Sequence, residues 1–72
     1  MTSEQLSAEL KRRYDVAPKR EVALSIHLFG IEFAEELAGQ SINEIAERGT
    51  GHKSYGTEIR KGMRLAKYVR LK

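Results

Sequence analysis

Apolar residues recur every three or four positions over most of this 72-residue chain, which is the spacing of one face of an α-helix. In the first such stretch, Leu6, Leu10 and Tyr14 lie four residues apart. Ser3 precedes them, and serine is a favoured N-cap residue, so we expect a helix that begins at Glu4. The pattern as a whole predicts an all-α protein of about four helices.

The second apolar stretch carries two rows of apolar side chains instead of one. We expect its helix to begin at Pro18 and to end before Gly39, since proline suits the first turn and glycine the position after the last. Gly30 is compatible with a kink, a close helix crossing or a break into two helices, and we favour one long kinked segment. The first row is Val22, Ile26, Phe29, Phe33 and Leu37. The second row is Leu24, Leu28 and Ile31.

The third stretch, residues 41–62, reads SINEIAERGTGHKSYGTEIRKG and predicts two short helices joined by a tight turn. Ser41 and Glu44 have the spacing of a capping box at the start of the first helix. The apolar face of that helix is Ile42, Ile45 and Ala46. Glycine and threonine at 49–51 end it, and Ser54 is a second candidate N-cap. Two short, closely joined helices have the layout of a helix-turn-helix.

The spacing within residues 41–62 resembles the helix-turn-helix of phage-repressor-type (Cro/Xre-like) DNA-binding proteins. The positions that agree are Ala46, Tyr55, Ile59, Lys61 and Gly62. The positions that depart are Thr50, Gly51 and Gly56, where that family has a turn glycine and two apolar packing residues. The chain also resembles small stand-alone bacterial HTH-like proteins. This resemblance implies a DNA-binding regulator of transcription or of a mobile element.

The apolar spacing continues beyond Gly62, where the second helix of a phage-repressor motif would stop. The residues that prolong it are Met63, Ala66 and Val69. We therefore predict a helix over residues 54–67 with Gly62 inside it. Residues 68–72 can form a short extended tail, which would need a partner strand.

The size and composition of the chain restrict the class of protein. Seventy-two residues predict a single domain, 1–72, near the lower size limit for a self-sufficient core. We therefore expect a homodimer, for which the second apolar row is a candidate seam. The chain lacks cysteine, and His27 and His52 are far apart, so neither a metal site nor another cofactor is expected. With no membrane-spanning apolar run and no secretory signal, we expect a cytoplasmic protein.

The charges are divided unevenly along the chain. Residues 1–47 carry five basic and nine acidic side chains, whereas residues 48–72 carry eight basic and one acidic side chain, which together give the net charge of +3. The basic C-terminal part favours an anionic partner. The alternative is that these cations only solvate a helix and suit the negative end of its dipole. We interpret the run at residues 11–13 in that second way.

If the motif docks as its relatives do, its second helix enters the major groove of double-stranded DNA. The candidate base-facing residues are His52, Lys53, Ser54, Thr57 and Glu58. The candidate phosphate contacts are Gln40, Ser41, Arg48, Arg60, Lys61, Arg64 and Lys67. Lysine can read guanine, serine and threonine can bond several base edges, and glutamate can accept from cytosine. Tyr55 and Ile59 are assigned to the core.

A second class of function fits the same residues. Gly51 removes an apolar anchor from the turn, Gly56 and Gly62 are expected to loosen the second helix, and Glu58 places an anion on the DNA-facing side. These departures suit a helix-turn-helix scaffold that binds a regulatory protein partner, as an anti-activator or antitoxin-like modulator does. An enzyme is not expected, since no nucleophile–base set, phosphate-cradling loop or metal-ligand spacing is present. The carboxylates at 32, 35 and 36 are interpreted as a solvated helix face.

Overall fold

A computed structural model of the protein describes residues 1–69, which contain five α-helices and no strand. The helices are α1 (Ser3–Val16), α2 (Val22–Glu32), α3 (Ala34–Leu37), α4 (Ile42–Thr50) and α5 (Gly56–Leu65). Short 3-10 turns, Lys19–Glu21 and Lys53–Tyr55, lead into α2 and α5. The all-α prediction is confirmed. Of the predicted extended tail, Tyr68 lies in a turn, and residues 70–72 lie outside the described range.

α1 begins one residue earlier than predicted because Thr2, and not Ser3, is its N-cap. The Gln5 backbone N–H donates to the Thr2 hydroxyl at 3.1 Å, and the Thr2 N–H donates to the Gln5 side chain at 2.9 Å. This reciprocal pair is a capping box, which needs an acceptor three residues after the cap. Ser3 has Leu6 at that distance, and leucine has no acceptor to offer.

The predicted second helix is interrupted at Phe33 and not at Gly30. Pro18 has an extended ψ of 147° and precedes the 3-10 turn, so it is not the first residue of α2. At Phe33 the backbone leaves the α-helical region, with φ −107° and ψ 22°, and α3 follows as a separate short helix. Gly39 has a φ of +81°, as expected for a glycine just after a helix.

The core is formed by the apolar positions that the helical spacing predicts. Its buried members are Leu6, Leu10, Ile26, Phe29, Leu37, Ile42, Ile45, Ala46 and Ile59. Tyr55 and Met63 pack against this cluster while remaining partly exposed. The core therefore contains Ile26, Phe29 and Leu37 of the first apolar row, with Val22 and Phe33 packed against it, and the inner faces of both helices of the motif.

Two glycines bring the backbones of α2 and α5 into direct contact. A Cβ atom added at Gly30 would overlap the carbonyl oxygen of Ile59 and would lie 3.0 Å from the Cα of Gly62. A Cβ atom added at Gly62 would overlap the carbonyl oxygen of His27 and would lie 2.9 Å from the Cα of Gly30. Gly30 thus marks a close helix crossing, and Gly62 tightens the packing of α5 instead of loosening it.

Charged side chains link α1 to α2. Glu9 accepts hydrogen bonds from Arg12 at 2.7 Å and from Arg13 at 2.6 Å. Arg13 also donates to Glu32 on α2 at 2.7 Å, and its guanidinium lies 5.1 Å from the centroid of the Phe33 ring. The hydrogen bonds from Arg12 and Arg13 lower the pKa of Glu9 to about 2. The basic run at residues 11–13 is therefore largely engaged within the protein.

Replacing Glu9 by glutamine should lower the free energy of unfolding at neutral pH. It should also make that free energy change less as the pH is lowered. Folded Glu9 stays charged down to about pH 2, whereas in the unfolded chain it protonates near its ordinary pKa of 4.5. Its stabilising effect is therefore complete above that pKa and is lost as the pH falls towards 2. Urea unfolding at a series of pH values measures the difference between Glu9→Gln and the wild type.

Glu47→Gln is the matched control for this experiment. Glu47 is exposed on α4 and, within residues 1–69, has no cationic partner within 4.0 Å. Its replacement should leave the acid dependence of the unfolding free energy unchanged. The same acid dependence in Glu9→Gln and in the wild type would contradict the role assigned to the arginine pair.

Candidate nucleic-acid interface

α4, the turn that follows it and α5 form the helix-turn-helix predicted from residues 41–62. α4 ends at Thr50, and Gly51 turns the chain with a φ of +81°, a conformation that favours glycine. The Thr50 hydroxyl donates to the carbonyl of Ala46 at 2.7 Å and accepts from the N–H of His52 at 3.0 Å. The buried Thr50 thus holds the turn in place. Gly51 provides the left-handed conformation that the turn requires, so glycine at this position is not the loss of an apolar anchor that the sequence suggested.

The two predicted side-chain caps of the motif do not form. Ser54 lies inside the 3-10 turn Lys53–Tyr55, and α5 begins after it without a side-chain cap. Ser41 occupies the N-cap position of α4, but its hydroxyl makes no capping hydrogen bond. The prediction of a capping box with Glu44 is therefore wrong. The N–H groups in the first turn of α4 are therefore left to bond an external acceptor such as a phosphate oxygen.

One side of α5 presents a set of exposed polar and basic side chains, which we call the basic face. It consists of Thr57, Arg60, Lys61 and Arg64. These residues lie three, four and seven positions after the first, which places them on the same side of a helix. Ile59 and Gly62 are buried on the opposite side, and Lys53 and Lys67 are exposed before and after the helix. One side of α5 is thus buried in the protein, and the other side is exposed and basic.

Most cations on the basic face and just before and after α5 are not neutralised within the described part of the chain. Within residues 1–69, Lys53, Arg60, Arg64 and Lys67 have no carboxylate within 4.0 Å. Lys61 lies 3.5 Å from a carboxylate oxygen of Glu58. Unlike the cations of α1, which lie within 2.9 Å of carboxylates, these charges are directed to solvent. An uncompensated positive surface of this kind attracts a polyanion.

Glu58, a predicted base-facing residue, is held by neighbouring protein groups. One carboxylate oxygen lies 2.8 Å from Nε2 of His27 on α2, and the other is the oxygen near Lys61. The hydrogen bond with His27, helped by the charge of Lys61, lowers the pKa of Glu58. Glu58 therefore lies on the edge of α5 that faces α2, where it links the two helices.

A family model described as an HTH-like domain matches residues 2–72. The chain belongs to the HTH-like domain family. The match covers almost the whole chain and supports a helix-turn-helix family, without singling out the phage-repressor type. Comparisons with curated proteins and with solved structures give no match.

Membership of the HTH-like family has a general consequence for function. An HTH-like domain indicates a function of the DNA-binding regulator kind, and domains of this kind are typically non-enzymatic.

Within residues 1–69, no helix has the length and apolar character needed to cross a bilayer. The same range contains no group of three or more His, Cys, Asp or Glu side chains arranged to hold a metal ion.

The other predicted contacts of this HTH-like domain surround α4 and the turn. Ser41 is exposed and Gln40 half-buried at the N-terminal end of α4, and Arg48 is exposed near its other end, 4.0 Å from Glu44. His52 is exposed in the turn, with its ring 6.0 Å from that of Tyr55. The structure thus divides the predicted residues between the first turn of α4, the turn and the basic face.

Asn43 is a further polar residue beside the candidate interface, and the sequence-based set does not contain it. A Cβ atom added at Gly56 would overlap the side-chain oxygen of Asn43 and would lie 3.5 Å from Nη1 of Arg60. The amide of Asn43, the start of α5 and the guanidinium of Arg60 therefore meet at one point. The sequence signals for this contact are weak: a polar residue in the first turn of α4 and a glycine at the start of α5.

Proposed function

We propose that this HTH-like protein binds double-stranded DNA as a small regulator of transcription or of a mobile element. The basic face is the observation that carries the proposal, because its cations are exposed on the second helix of the motif and most lack a carboxylate partner within residues 1–69. α5 would lie in the major groove with its N-terminal end towards the bases, as recognition helices do. Such a regulator would act in the cytoplasm.

The proposed contacts separate into those that read bases and those that hold phosphates. Thr57 and the residues of the preceding turn, His52, Lys53 and Ser54, are placed at the N-terminal end of α5, where base edges would be read. Arg60, Lys61 and Arg64 on α5, and Lys67 just after it, would hold phosphates. The uncapped first turn of α4, with Gln40, Ser41 and Asn43, would bind a further phosphate. Glu58 is left out of the base-reading set because His27 and Lys61 already hold it.

The affinity for DNA should fall steeply as salt is added. Arg48, the three cations of α5 and Lys67 would make five cationic contacts, and each should contribute about −0.9 to the slope of log affinity against log salt concentration. A slope near −4.5 corresponds to a loss of roughly several hundredfold between ~50 and ~200 mM salt. Fluorescence anisotropy with a labelled duplex of mixed sequence measures the slope, and absence of binding at the lower salt concentration would overturn the proposal.

A protein-binding role is the second candidate, and a groove beside α5 favours it. The groove, of about 840 Å³, runs between α3 and the C-terminal end of α5. Glu35 and Glu36 lie along one wall, Arg64 and Lys67 along the other, and Met63 is among the apolar residues between them. This candidate predicts co-purification with one regulatory protein and weak DNA binding. Purification that returns only nucleic acid would count heavily against it.

A further inference from the structure

α2 exposes an apolar surface that the rest of the described chain leaves uncovered. This apolar ridge consists of the exposed Leu24 and Leu28 and the half-buried Ile31, which form the second row of the second apolar stretch. Leu24 is 50% exposed and Leu28 is 37% exposed, although both belong to a helix whose other side is in the core. Apart from His27, α2 carries no ionisable side chain before Glu32, its last residue. A surface of this kind favours contact with another apolar surface over contact with water.

The apolar character extends beyond the ridge at its N-terminal end. Leu24 and Leu28 line a shallow hollow together with Val16, Ala17 and Pro18 from the end of α1 and the connection that follows. The polar residues of the same hollow are Arg13, Glu21 and Ser25. Val16 is 69% exposed. The uncovered apolar surface therefore continues from the end of α1 along α2.

The two ends of the ridge carry opposite charges that the protein does not neutralise. Lys19 and Arg20 are exposed before the start of α2, and Glu35 and Glu36 are exposed just after its end. Within residues 1–69, none of these four side chains has an oppositely charged partner within 4.0 Å. Glu21 reduces the charge of the N-terminal end to +1 without reversing it. At the other end, both glutamates line the same groove as Ile31, so they border the ridge, while Arg64 and Lys67 line the opposite wall of that groove, more than 4.0 Å from these carboxylates.

Opposite charges at the two ends make the ridge complementary to itself in one orientation. In a two-fold symmetric pair with antiparallel α2 helices, the cations of each copy meet the glutamates of the other, and the apolar ridges meet in the middle. Antiparallel helix dipoles also attract each other. A parallel pair would instead place cations against cations and glutamates against glutamates.

We propose that a second copy of this chain docks on the apolar ridge, with the two α2 helices antiparallel. Lys19 and Arg20 of one copy then face Glu35 and Glu36 of the other at both ends of the contact. The proposal does not depend on DNA binding, since the ridge belongs to α2 and the basic face to α5. If the protein does bind DNA, the pair carries two basic faces related by a two-fold axis, as two half-sites require.

Charge reversal at the two ends tests both the partner and its orientation. We expect Lys19→Glu with Arg20→Glu, and separately Glu35→Lys with Glu36→Lys, to raise the dimer dissociation constant at least tenfold, since each creates like-charge contacts at both ends. An equimolar mixture of the two variants should form a heterodimer with nearly wild-type affinity, because opposite charges meet again at both ends. Sedimentation equilibrium of the full chain measures each dissociation constant.

A substitution within the ridge gives an independent test. Leu28→Lys should also raise the dissociation constant at least tenfold, whereas Leu65→Lys, at an apolar site that is 44% exposed on α5, should leave it unchanged. Circular dichroism establishes that both variants remain folded. A wild-type protein that stays monomeric up to about 1 mM would overturn the proposal. So would a mixture of charge-reversed variants that fails to associate, or equal effects of the substitutions at positions 28 and 65.

Discussion

Gly62→Ala should lower the free energy of unfolding by about 2 kcal/mol or more, the largest effect we expect from adding one methyl group to this protein. The added Cβ would overlap the carbonyl oxygen of His27 and press against the Cα of Gly30. Both are backbone atoms, so no side-chain rotation can make room and α2 must move away from α5. In a domain of this size, 2 kcal/mol corresponds to a fall in Tm of roughly 8–16 °C.

Gly56→Ala is the matched control, since it makes the same change in the same helix. Its added Cβ would meet the side-chain oxygen of Asn43, the rotatable end of an exposed side chain, with Arg60 Nη1 at 3.5 Å. Because these groups can move aside and alanine favours the helix, its unfolding free energy should stay within about 1 kcal/mol of wild type. Thermal unfolding followed by circular dichroism compares the two variants. Equal Tm values for them would show that the α2–α5 crossing tolerates a side chain at position 62.

The parts of the fold that depend on the spacing of apolar residues could be predicted from the sequence. Ile42, Ile45 and Ala46 recur at helical spacing and are buried in α4, and Ile59 is buried in α5 as assigned. Continuation of the last helix beyond Gly62 also followed from spacing, because Met63 extends the same apolar side and packs against the core, although α5 ends at Leu65 and not at residue 67 as predicted. Helical spacing is sufficient for these features because burial of an apolar stripe determines which side of a helix faces inward.

Features that depend on how two helices meet could not be predicted from local pattern. Gly30 and Gly62 each look like a weak point within a helix, but together they allow one backbone to contact the other. Likewise, Glu58 has the position of a base-reading residue within α5, and only the placement of α2 brings His27 to 2.8 Å from it. Contacts between residues about 31 positions apart depend on the crossing of the helices, which helical periodicity does not encode.

The candidate interface shows the same division between local and long-range information. The residues of the basic face share one side of α5 because their spacing is helical, so the sequence was sufficient to group them. The sequence could not show which cations are neutralised by the protein, since Arg13 reaches Glu32 on another helix while Arg60 and Arg64 have no such partner within residues 1–69. Of the thirteen basic residues, Arg70 and Lys72 lie outside the described range, and among the others the structure distinguishes a smaller set whose charge is directed to solvent.

Replacing Arg60 and Arg64 together by alanine should weaken DNA binding roughly 10-fold to 100-fold at ~50 mM salt. Both guanidinium groups lie on the exposed side of α5 without a carboxylate partner within residues 1–69, so they can contact phosphates without first breaking an ion pair. The loss of two phosphate contacts should also make the slope of log affinity against log salt shallower by about 2. Fluorescence anisotropy titrations at several salt concentrations give both quantities.

Lys11→Ala combined with Arg12→Ala is the control, because it removes the same net charge from a different helix. Lys11 pairs with Asp15 at 2.9 Å and Arg12 with Glu9 at 2.7 Å, so neither cation is directed to an external anion. The control should therefore retain most of the affinity and nearly the wild-type salt slope. If both double variants lost affinity equally, binding would depend on overall charge alone, and the basic face of α5 would not be the DNA-binding surface. A large loss confined to the α5 variant is expected if phosphates contact that face.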